Sequence, residues 1–227
     1  MEITVPHPWP GTPAEAEAIQ NELRGRVEAS GSVAPRTVAG LDVSYAGDGG
    51  GARTRVAAAA VVLDAATLDV VEESVAVGMS DFPYVPGLFA FRELPTLVEA
   101  LRGLSATPGL LVCDGYGLAH PRRFGLACHV GIITGLPTIG IAKTAFVGAH
   151  EPPGPARGDQ APLLLDGVEV GRVLRTQDGV KPVFVSVGHR VGLDEACRLA
   201  LALAPRYRLP ETTRRADRLS RDRLAAA

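Results

Sequence analysis

The stretch LVCDGYGLAHPRRFG, residues 111–125, decides the fold because it joins an apolar run to a glycine-rich turn. The run GLLVCD is short, apolar and bounded by turn residues, which predicts a buried strand. Its last residue, Asp114, is a carboxylate at the strand's end, and Gly115 and Gly117 would let the backbone approach a ligand closely. Two interpretations stay open here: a metal ligand beside a phosphate-binding surface, or an ordinary turn between a strand and a helix.

Three runs upstream predict an antiparallel meander of strands. They are TVAGLDVSYA (37–46), RTRVAAAAVVLD (53–64) and DVVEESVAVG (69–78), with a hairpin turn predicted over residues 47–52. Downstream, strands alternate with helices, including one helix predicted to begin near His120 and an arginine-rich helix at the C-terminus. This order predicts an α/β fold with a central mixed sheet flanked by helices. We find no repeat or linker in the sequence and expect a single domain over residues 1–227.

The composition argues against secreted and membrane-spanning classes of protein. The three cysteines form no Cys-x-x-Cys pair and leave one over in any pairing, which is typical of a reduced intracellular protein. The first residues, MEITVPHPWPG, lack the basic start and apolar run of a signal peptide. The longest apolar stretch contains His129 and Pro137, which argues against a membrane span. We therefore expect a cytoplasmic protein.

The charges are unevenly distributed although their sum is small. The formal net charge is −2, yet seven arginines lie between Arg206 and Arg223 against three acidic residues. Such an arrangement is compatible with nucleic-acid binding, and equally with a solvated helix. The chain has only two lysines, Lys143 and Lys181. A lysine in an arginine-rich sequence either marks a place that needs a compact ammonium group or is there by chance.

Carboxylates in separate elements suggest a magnesium site. Asp42 interrupts an apolar strand, where an ionised group is costly unless it is paired or bound to metal. Glu93 lies at the start of an apolar helix, and a surface ion pair there is the simpler alternative. Together with Asp114 these residues offer the oxygen ligands that Mg²⁺ prefers, and Mg²⁺ can activate water for phosphodiester hydrolysis. The sequence alone does not show that they converge.

Two histidines have positions suited to chemistry or binding. His189 ends a strand and could transfer protons near neutral pH, or could be a structural residue. His120 precedes Arg122 and Arg123 at the predicted helix N-terminus, where amides and guanidinium groups would attract phosphate. His129 lies within that helix and is interpreted as a core residue.

The stretch DFPYVPGLFAF, residues 81–91, predicts a stiff loop with exposed apolar groups. Two prolines limit its flexibility while Tyr84, Val85, Leu88 and Phe89 are presented. Rigid wedges of this kind can enter a base stack and support an extruded nucleotide. A loop folded over the core would have the same composition. The sequence has no Walker phosphate loop, no Gly-x-Ser-x-Gly and no zinc-spaced Cys/His cluster.

Six separated blocks, read together, resemble the endonuclease V family, whose members recognise deaminated purines, chiefly inosine. They are VAGLDVSY, PYVPGLFAFRELP, DGYGLAHPRRFGLACHVG, PTIGIAKT, VSVGHRVGL and YRLPETTRRAD, which span Val38 to Asp217 in family order. The resemblance implies a ribonuclease H-like fold and Mg²⁺, with Mn²⁺ as a substitute, bound by Asp42, Glu93 and Asp114. It also implies that Lys143 and His189 belong to the active site.

The resemblance further implies how the lesion is held. The strand-separating wedge corresponds to Pro83, Tyr84, Val85, Pro86 and Gly87. The flipped base is expected against Gly87 and a set of pocket residues, namely Leu88, Phe89, Gly115, Gly117 and His120. Arg122 and Arg123 are the expected phosphate contacts. At Tyr116 the sequence departs from the family, which commonly has Asn, Gln or His there.

The activity implied is hydrolysis of the second phosphodiester bond 3′ to deoxyinosine in DNA, leaving a 3′-hydroxyl and a 5′-phosphate, by a monomeric enzyme of DNA repair. Three alternatives stay open. The substrate could be inosine in RNA, the protein could bind lesions without cleaving, or it could release the base as a glycosylase. The carboxylates favour cleavage, since binding alone needs no metal ligands.

Overall fold

A computed structural model describes residues 1–47 and 53–227. The hairpin turn predicted over 47–52 therefore lies almost entirely outside the described residues. The described strands are β1 (Thr37–Tyr45), β2 (Thr54–Asp64), β3 (Val70–Ser80), β4 (Leu110–Asp114), β5 (Thr138–Ala142), β6 (Gln160–Leu165), β7 (Val168–Leu174) and β8 (Val183–His189). The described α-helices are α1 (Pro13–Leu23), α2 (Phe89–Arg102), α3 (Leu126–Thr134), α4 (Leu193–Ala202) and α5 (Glu211–Ala225).

The strands form one mixed sheet of eight strands in the order β3-β2-β1-β4-β5-β8-β7-β6. The predicted meander β1-β2-β3 is antiparallel, whereas β1, β4 and β5 run parallel to one another. The remaining strands pair antiparallel beyond β5. The predicted fold class, a mixed sheet flanked by helices, is confirmed. In the described part of the chain, no helix has the length and hydrophobicity needed to cross a membrane.

Helices cover both faces of the sheet because its central strands are apolar on both sides. The alanine run of β2 shows this: Ala58 and Ala60 pack in the cluster with α2 and α3, while Ala59 packs in the cluster with α4 and α5. All three are fully buried. A strand buried on both faces has a continuous apolar sequence instead of an alternating one. The small alanine side chains allow close approach of the helices.

The predicted start of α3 near His120 is wrong. The helix begins at Leu126, and residues 120–125 form a turn. Arg123 has a φ of 53°, a left-handed conformation that interrupts a right-handed helix. The backbone amides of Gly125 and Ala127 donate to the carbonyls of Gly117 and Tyr116. The turn is thus fixed by bonds to the preceding loop, and the sequence pattern alone gave no sign of these bonds.

The C-terminal helix α5 lies directly against β1 at Gly40. A Cβ atom at Gly40 would lie 2.1 Å from the carbonyl oxygen of Thr212, which is backbone and has no room to rotate away. Both Thr212 and Ala216 of α5 are fully buried at this contact. The absence of a side chain at Gly40 therefore sets the distance between α5 and the sheet.

We predict that Gly40→Ala lowers the free energy of unfolding by at least about 2 kcal/mol, because added core volume at a backbone contact forces α5 outward. Gly25→Ala is the matched control, since a Cβ there has no neighbour within 4 Å. It should leave the stability unchanged or raise it by up to about 1 kcal/mol. Urea unfolding of both variants measures the difference, and equal stabilities would contradict the close approach of α5.

Candidate active site

The three predicted metal ligands line one cavity of about 740 Å³ at the carboxyl ends of β1 and β4. Asp42 lies within β1, Asp114 is the last residue of β4, and Glu93 lies on α2. Strands β1 and β4 are parallel neighbours, and Leu41 pairs with Cys113. Asp42 and Asp114, one residue further along each strand, therefore lie side by side. The structure therefore brings these carboxylates together, while their role as ligands stays a prediction.

Asp42 is half-buried and accepts a hydrogen bond at Oδ2 from Ser220 Oγ on α5, at 2.8 Å. Burial is the main reason why the pKa of Asp42 is raised to about 6. The bond from Ser220 opposes this, while the neighbouring carboxylates of Asp114 and Asp217 raise the pKa further. Burial and the neighbouring carboxylates thus make the ionised form of Asp42 less favourable.

Glu93 is held by the neighbouring strand. The hydroxyl of Tyr45, at the end of β1, donates to Glu93 Oε1 at 3.0 Å, and the guanidinium of Arg92 lies 5.3 Å from the centre of the Tyr45 ring. Burial raises the pKa of Glu93 to about 8, and the charges of Asp42 and Asp114 add to the increase. The charge of Arg92 opposes this increase.

Lys143 supplies positive charge to the cavity. It follows β5, the parallel neighbour of β4, and its Nζ lies 2.6 Å from Asp114 Oδ2. Burial alone would lower the pKa of Lys143, but its hydrogen bond to Asp114 and the charges of Asp114, Asp42 and Asp217 raise the pKa. The ammonium group therefore stays charged beside the carboxylates.

The donor set fits a hard divalent cation. Carboxylate oxygens are the ligands that Mg²⁺ prefers. Burial, and to a smaller extent the neighbouring carboxylates, raise the pKa values of Asp42 and Glu93, and a bound cation would offset both effects. Within residues 1–47 and 53–227, however, no group of three or more His, Cys, Asp or Glu side chains is arranged to hold an ion as it stands. In this arrangement Lys143 bonds to Asp114.

Asp217, on α5, is a fourth carboxylate of the same cavity and was missed from the sequence. It contributes to the raised pKa of Asp42, and its Oδ1 accepts from Arg221 at 2.8 Å. The available signal was helical spacing: Asp217, Arg221 and Leu224 are at i, i+4 and i+7 and line the cavity together. The many arginines around it favoured the interpretation of a solvated helix.

His189 is not brought to this cavity. It pairs with Thr138 at the start of β5, whereas Asp114 pairs with Ile141 three residues further on, roughly 10 Å along the strand. His189 is buried, and its Nδ1 accepts from the backbone amide of Glu28 at 3.2 Å. His129 is fully buried as predicted, with its Nε2 lying 2.7 Å from His7 Nε2.

A second cavity of about 300 Å³ adjoins the first, and Glu93, Asp114 and Lys143 line both. Of the predicted base-pocket residues, Gly87, Phe89, Gly115 and His120 line it. The other two lie behind it: Leu88 is fully buried in a cluster with Phe82 and Phe91, and Gly117 packs against the carbonyl of Val187. With about 300 Å³, the cavity has room for a planar group beside the carboxylates.

Aromatic rings form one wall of this second cavity. The ring centres of Tyr116 and Phe146 are 5.3 Å apart, and the ring of His120 lies 5.8 Å from Phe146. The Tyr116 hydroxyl donates to the carbonyl of Thr144 at 3.1 Å, which fixes the ring. The residue that departs from the family pattern is therefore part of the wall. Phe146 was missed from the sequence because it lies in a loop without a motif.

The predicted wedge runs from Pro83 to Gly87 beside this cavity. The Tyr84 side chain is 56% exposed, and its ring lies 4.8 Å from Phe89. The amide of Leu88 donates to the carbonyl of Val85 at 3.0 Å, and Pro86 is exposed between them. Gly87 has a φ of 84°, which glycine adopts without strain. The loop is thus a tight turn that projects Tyr84 into solvent.

The carbonyl of Gly87 is fixed by three side-chain donors. His120 Nε2 donates at 2.8 Å, Gln20 Nε2 at 3.0 Å and Arg122 Nη2 at 3.3 Å. His120 Nδ1 accepts from the Arg122 amide, so its proton is on Nε2, and burial lowers the pKa of His120 to about 4. His120 is therefore a neutral donor that holds the wedge.

Gln20 connects this network to α1. The side chain is fully buried, its Nε2 also donates to the Phe124 carbonyl at 3.1 Å, and its Oε1 accepts from Arg122 Nε. Arg122 additionally contacts Glu17 at 3.2 Å, and Arg123 donates to the carbonyl of Leu165. Both arginines predicted as phosphate contacts are thus bonded to protein groups. Gln20 carried no sequence signal, since a single glutamine on an amphipathic helix is ordinarily solvated.

Comparison with known proteins agrees over nearly the whole chain. The family model described as Endonuclease V matches residues 21–218. The Endonuclease V of Streptomyces avermitilis is 60% identical over 228 residues, 99% of this chain and 98% of that protein. The crystal structure of an endonuclease V from the same organism superposes with a TM-score of 0.91, covering 100% of both chains at 60% identity.

A more distant structure contains a nucleic acid. Ciona intestinalis endonuclease V, in complex with a 24mer DNA containing an inosine followed by a ribo-adenosine, is 25% identical to this chain. It superposes with a TM-score of 0.80, covering 94% of this chain and 98% of that one.

We predict that Gln20→Met lowers the free energy of unfolding by about 2–4 kcal/mol, because the Phe124 carbonyl and Arg122 Nε would each lose a buried partner. Glu17→Gln, on the same helix, removes only the partly exposed contact to Arg122 and should cost less than about 1 kcal/mol. Urea unfolding of both variants measures these changes. Equal decreases in the free energy of unfolding would show that the buried hydrogen bonds of Gln20 do not stabilise the fold.

Proposed function

The chain belongs to the endonuclease V family, and we propose that it recognises deoxyinosine in DNA and hydrolyses the second phosphodiester bond 3′ to the lesion. The products would carry a 3′-hydroxyl and a 5′-phosphate. The observation that carries the proposal is the junction of the two cavities: Glu93, Asp114 and Lys143 line both the carboxylate cavity and the aromatic-walled one. A base held in the second cavity would keep its strand beside the carboxylates.

We propose that Asp42, Glu93 and Asp114 hold Mg²⁺, for which Mn²⁺ would substitute. When bound, the ion supplies Lewis-acid stabilisation of the phosphate and a lowered pKa for water, as in other phosphodiester hydrolases. Asp217 lines the same cavity and adds negative charge to it. Tyr45 and Ser220 orient Glu93 and Asp42 through their hydrogen bonds. A fixed donor orientation matters because ligands and reactants must be positioned before the chemical step.

Lys143 is proposed to contact the scissile phosphate. Its ammonium group is already at the meeting point of the two cavities, where it offsets the charge of Asp114. On substrate binding the same positive charge would stabilise the phosphate, whose negative charge is spread over its oxygens in the transition state. The proposal assigns His189 no part in the chemical step, since proton transfer requires hydrogen-bond reach of the reacting atoms.

Recognition of the lesion is proposed to use the wedge and the aromatic wall. Tyr84 and Pro86 are exposed on a loop whose carbonyl at Gly87 is fixed by three donors, so the loop would keep its shape when pressed into a base stack. Extruding a base costs a few kcal/mol of lost stacking, and stacking against aromatic rings recovers part of it. Tyr116 and Phe146 provide such rings.

A second candidate function is cleavage of RNA at inosine. The Ciona intestinalis complex has a ribo-adenosine after the inosine, which favours testing it. Matched DNA and RNA oligonucleotides with one inosine each distinguish the candidates, because only RNA offers a 2′-hydroxyl at the bond next to the lesion. Faster cleavage of the RNA would replace the DNA proposal. Release of free hypoxanthine without a strand break would indicate a glycosylase instead.

We predict that the wild-type protein nicks a deoxyinosine duplex with Mg²⁺ and does not nick it with EDTA. Asp42→Asn should lose cleavage by about a thousandfold or more, since it removes a charged ligand and keeps the side chain's size. Its affinity for the duplex should stay within a few-fold of the wild type. Gel mapping of the cut and a binding assay measure these results. Cleavage by Asp42→Asn in Mg²⁺ would contradict the proposed metal site.

His189→Gln should keep cleavage within about fivefold of the wild type, because the side chain lies at the far end of β5 from the carboxylates. Glutamine can still accept from the Glu28 amide, so the fold should survive, and circular dichroism serves as the check. A loss comparable to that of Asp42→Asn would return His189 to the chemical step.

A further inference from the structure

A third cavity, of about 390 Å³, is lined by Lys143. We call it the basic groove and define it by six of its lining residues: Lys143, His150, Arg175, Lys181, Phe184 and Arg208. The chain has two lysines in all, and both line this groove. In the part of the chain that the structure describes, no carboxylate lines it. Lys143 is paired with Asp114, whereas Arg175, Lys181 and Arg208 have no carboxylate partner among the described residues. These three cations form a local concentration of positive charge in a protein of net charge −2.

The two arginines of the groove are fixed by carbonyl oxygens. Arg208 Nη2 donates to the Lys143 carbonyl at 2.5 Å and to the Pro182 carbonyl at 2.8 Å. Arg175 donates to the carbonyls of Gly154, Val180 and Pro153. These bonds orient the guanidinium groups but leave their charge uncompensated, because a carbonyl is neutral. The groove therefore keeps a positive potential and a fixed shape before any ligand arrives.

Lys181 differs from the arginines because its side chain is exposed. Among the described residues it forms no ion pair or side-chain hydrogen bond, so its ammonium group is available to an outside partner. The exposed ring of His150 lines the same groove and packs edge-to-face against the buried ring of Phe184, with ring centres 5.3 Å apart. An exposed ammonium group beside an exposed imidazole ring suits a nucleic-acid strand, because nucleic-acid channels combine cationic side chains with ring surfaces.

Lys143 lines all three cavities, so the basic groove opens directly from the proposed position of the scissile phosphate. Consider a nucleic-acid strand with one base in the aromatic-walled cavity and the scissile phosphate at the carboxylates. The part of that strand beyond the scissile phosphate would lie in the basic groove. The bond from Arg208 to the Lys143 carbonyl ties the wall of the groove to this junction. By contrast, Arg122 and Arg123 do not line the groove, and both donate to protein acceptors.

We propose that the basic groove binds the phosphodiester backbone of the cleaved strand next to the scissile bond, with Lys181 as its solvent-facing phosphate contact. The proposal rests on the proposed function, since it concerns the same substrate. It accounts for the second lysine of the chain: a flexible, exposed ammonium group suits a single phosphate, whereas the fixed arginines shape the groove.

The test compares three variants in binding and in cleavage. Lys181→Gln removes the charge, Lys181→Glu reverses it, and Arg102→Gln is the charge-matched control, an exposed cation bonded to Glu99 at the end of α2. Binding of a deoxyinosine duplex is followed by fluorescence anisotropy in EDTA at several salt concentrations. Cleavage is followed in Mg²⁺. Thermal unfolding confirms that each variant is folded.

We predict that Lys181→Gln weakens binding by about threefold to tenfold and lowers the salt slope of log Kd by about 0.7–0.9, the value for one phosphate contact. Lys181→Glu should weaken binding further, and kcat should stay within about twofold of the wild type in both. Shortening the duplex stepwise from one end should make wild type and Lys181→Gln bind equally. Arg102→Gln should match the wild type throughout.

Equal salt slopes for Lys181→Gln and Arg102→Gln would overturn the proposal, as would a penalty that persists however the duplex is shortened. Failure of the wild-type protein to nick the duplex in Mg²⁺ would instead overturn the proposed function. The two failures are distinguishable because the binding measurements in EDTA do not depend on cleavage.

Discussion

The parallel pairing of β1 with β4 is the constraint from which the candidate site follows. It places Asp42 and Asp114 at the same end of adjacent strands, about one strand spacing apart. Burial is the main reason why the pKa of Asp42 is raised to about 6, and the negative charge of Asp114 beside it adds to the increase. A fold with this pairing needs positive charge at the strand ends. Lys143, directly after the next parallel strand β5, supplies part of it.

The same constraint explains why α5 must approach β1 so closely. Ser220 donates to Asp42 from that helix, and Asp217 lines the carboxylate cavity from it. Both contacts require that the helix axis lie near the sheet, which the missing side chain at Gly40 permits. Because packing and site share one glycine, stability of the C-terminal helix and geometry of the carboxylates are linked. Helix α5 is therefore a wall of the site as well as a cover of the core.

The sequence predicted most of the strands from their apolar runs. It also singled out Asp42, which lies within such a run, and Asp114, which ends one, because a charged residue in an apolar run can be recognised from the sequence alone. Glu93 needed the family resemblance, since a glutamate at a helix start is ordinarily a surface residue. Asp217 and Gln20 could not be recognised, because their meaning depends on which helix face meets the sheet. The sequence showed that His189 ends a strand, but not the direction of that strand in the sheet. Because β8 runs antiparallel to β5, its last residue His189 lies beside the start of β5, away from the carboxylates.

The arginines illustrate the same limit for charge. Arg122, in the motif that first suggested phosphate binding, is bonded to Gln20, Glu17 and the Gly87 carbonyl. A guanidinium group has five N–H donors in one plane, so it can donate to several protein acceptors at once and fix their positions. Lysine has a flexible stem and one compact charge, and gains less from such a role. Arg122, Arg175 and Arg208 accordingly hold protein acceptors around the cavities, whereas the exposed Lys181 holds none among the described residues.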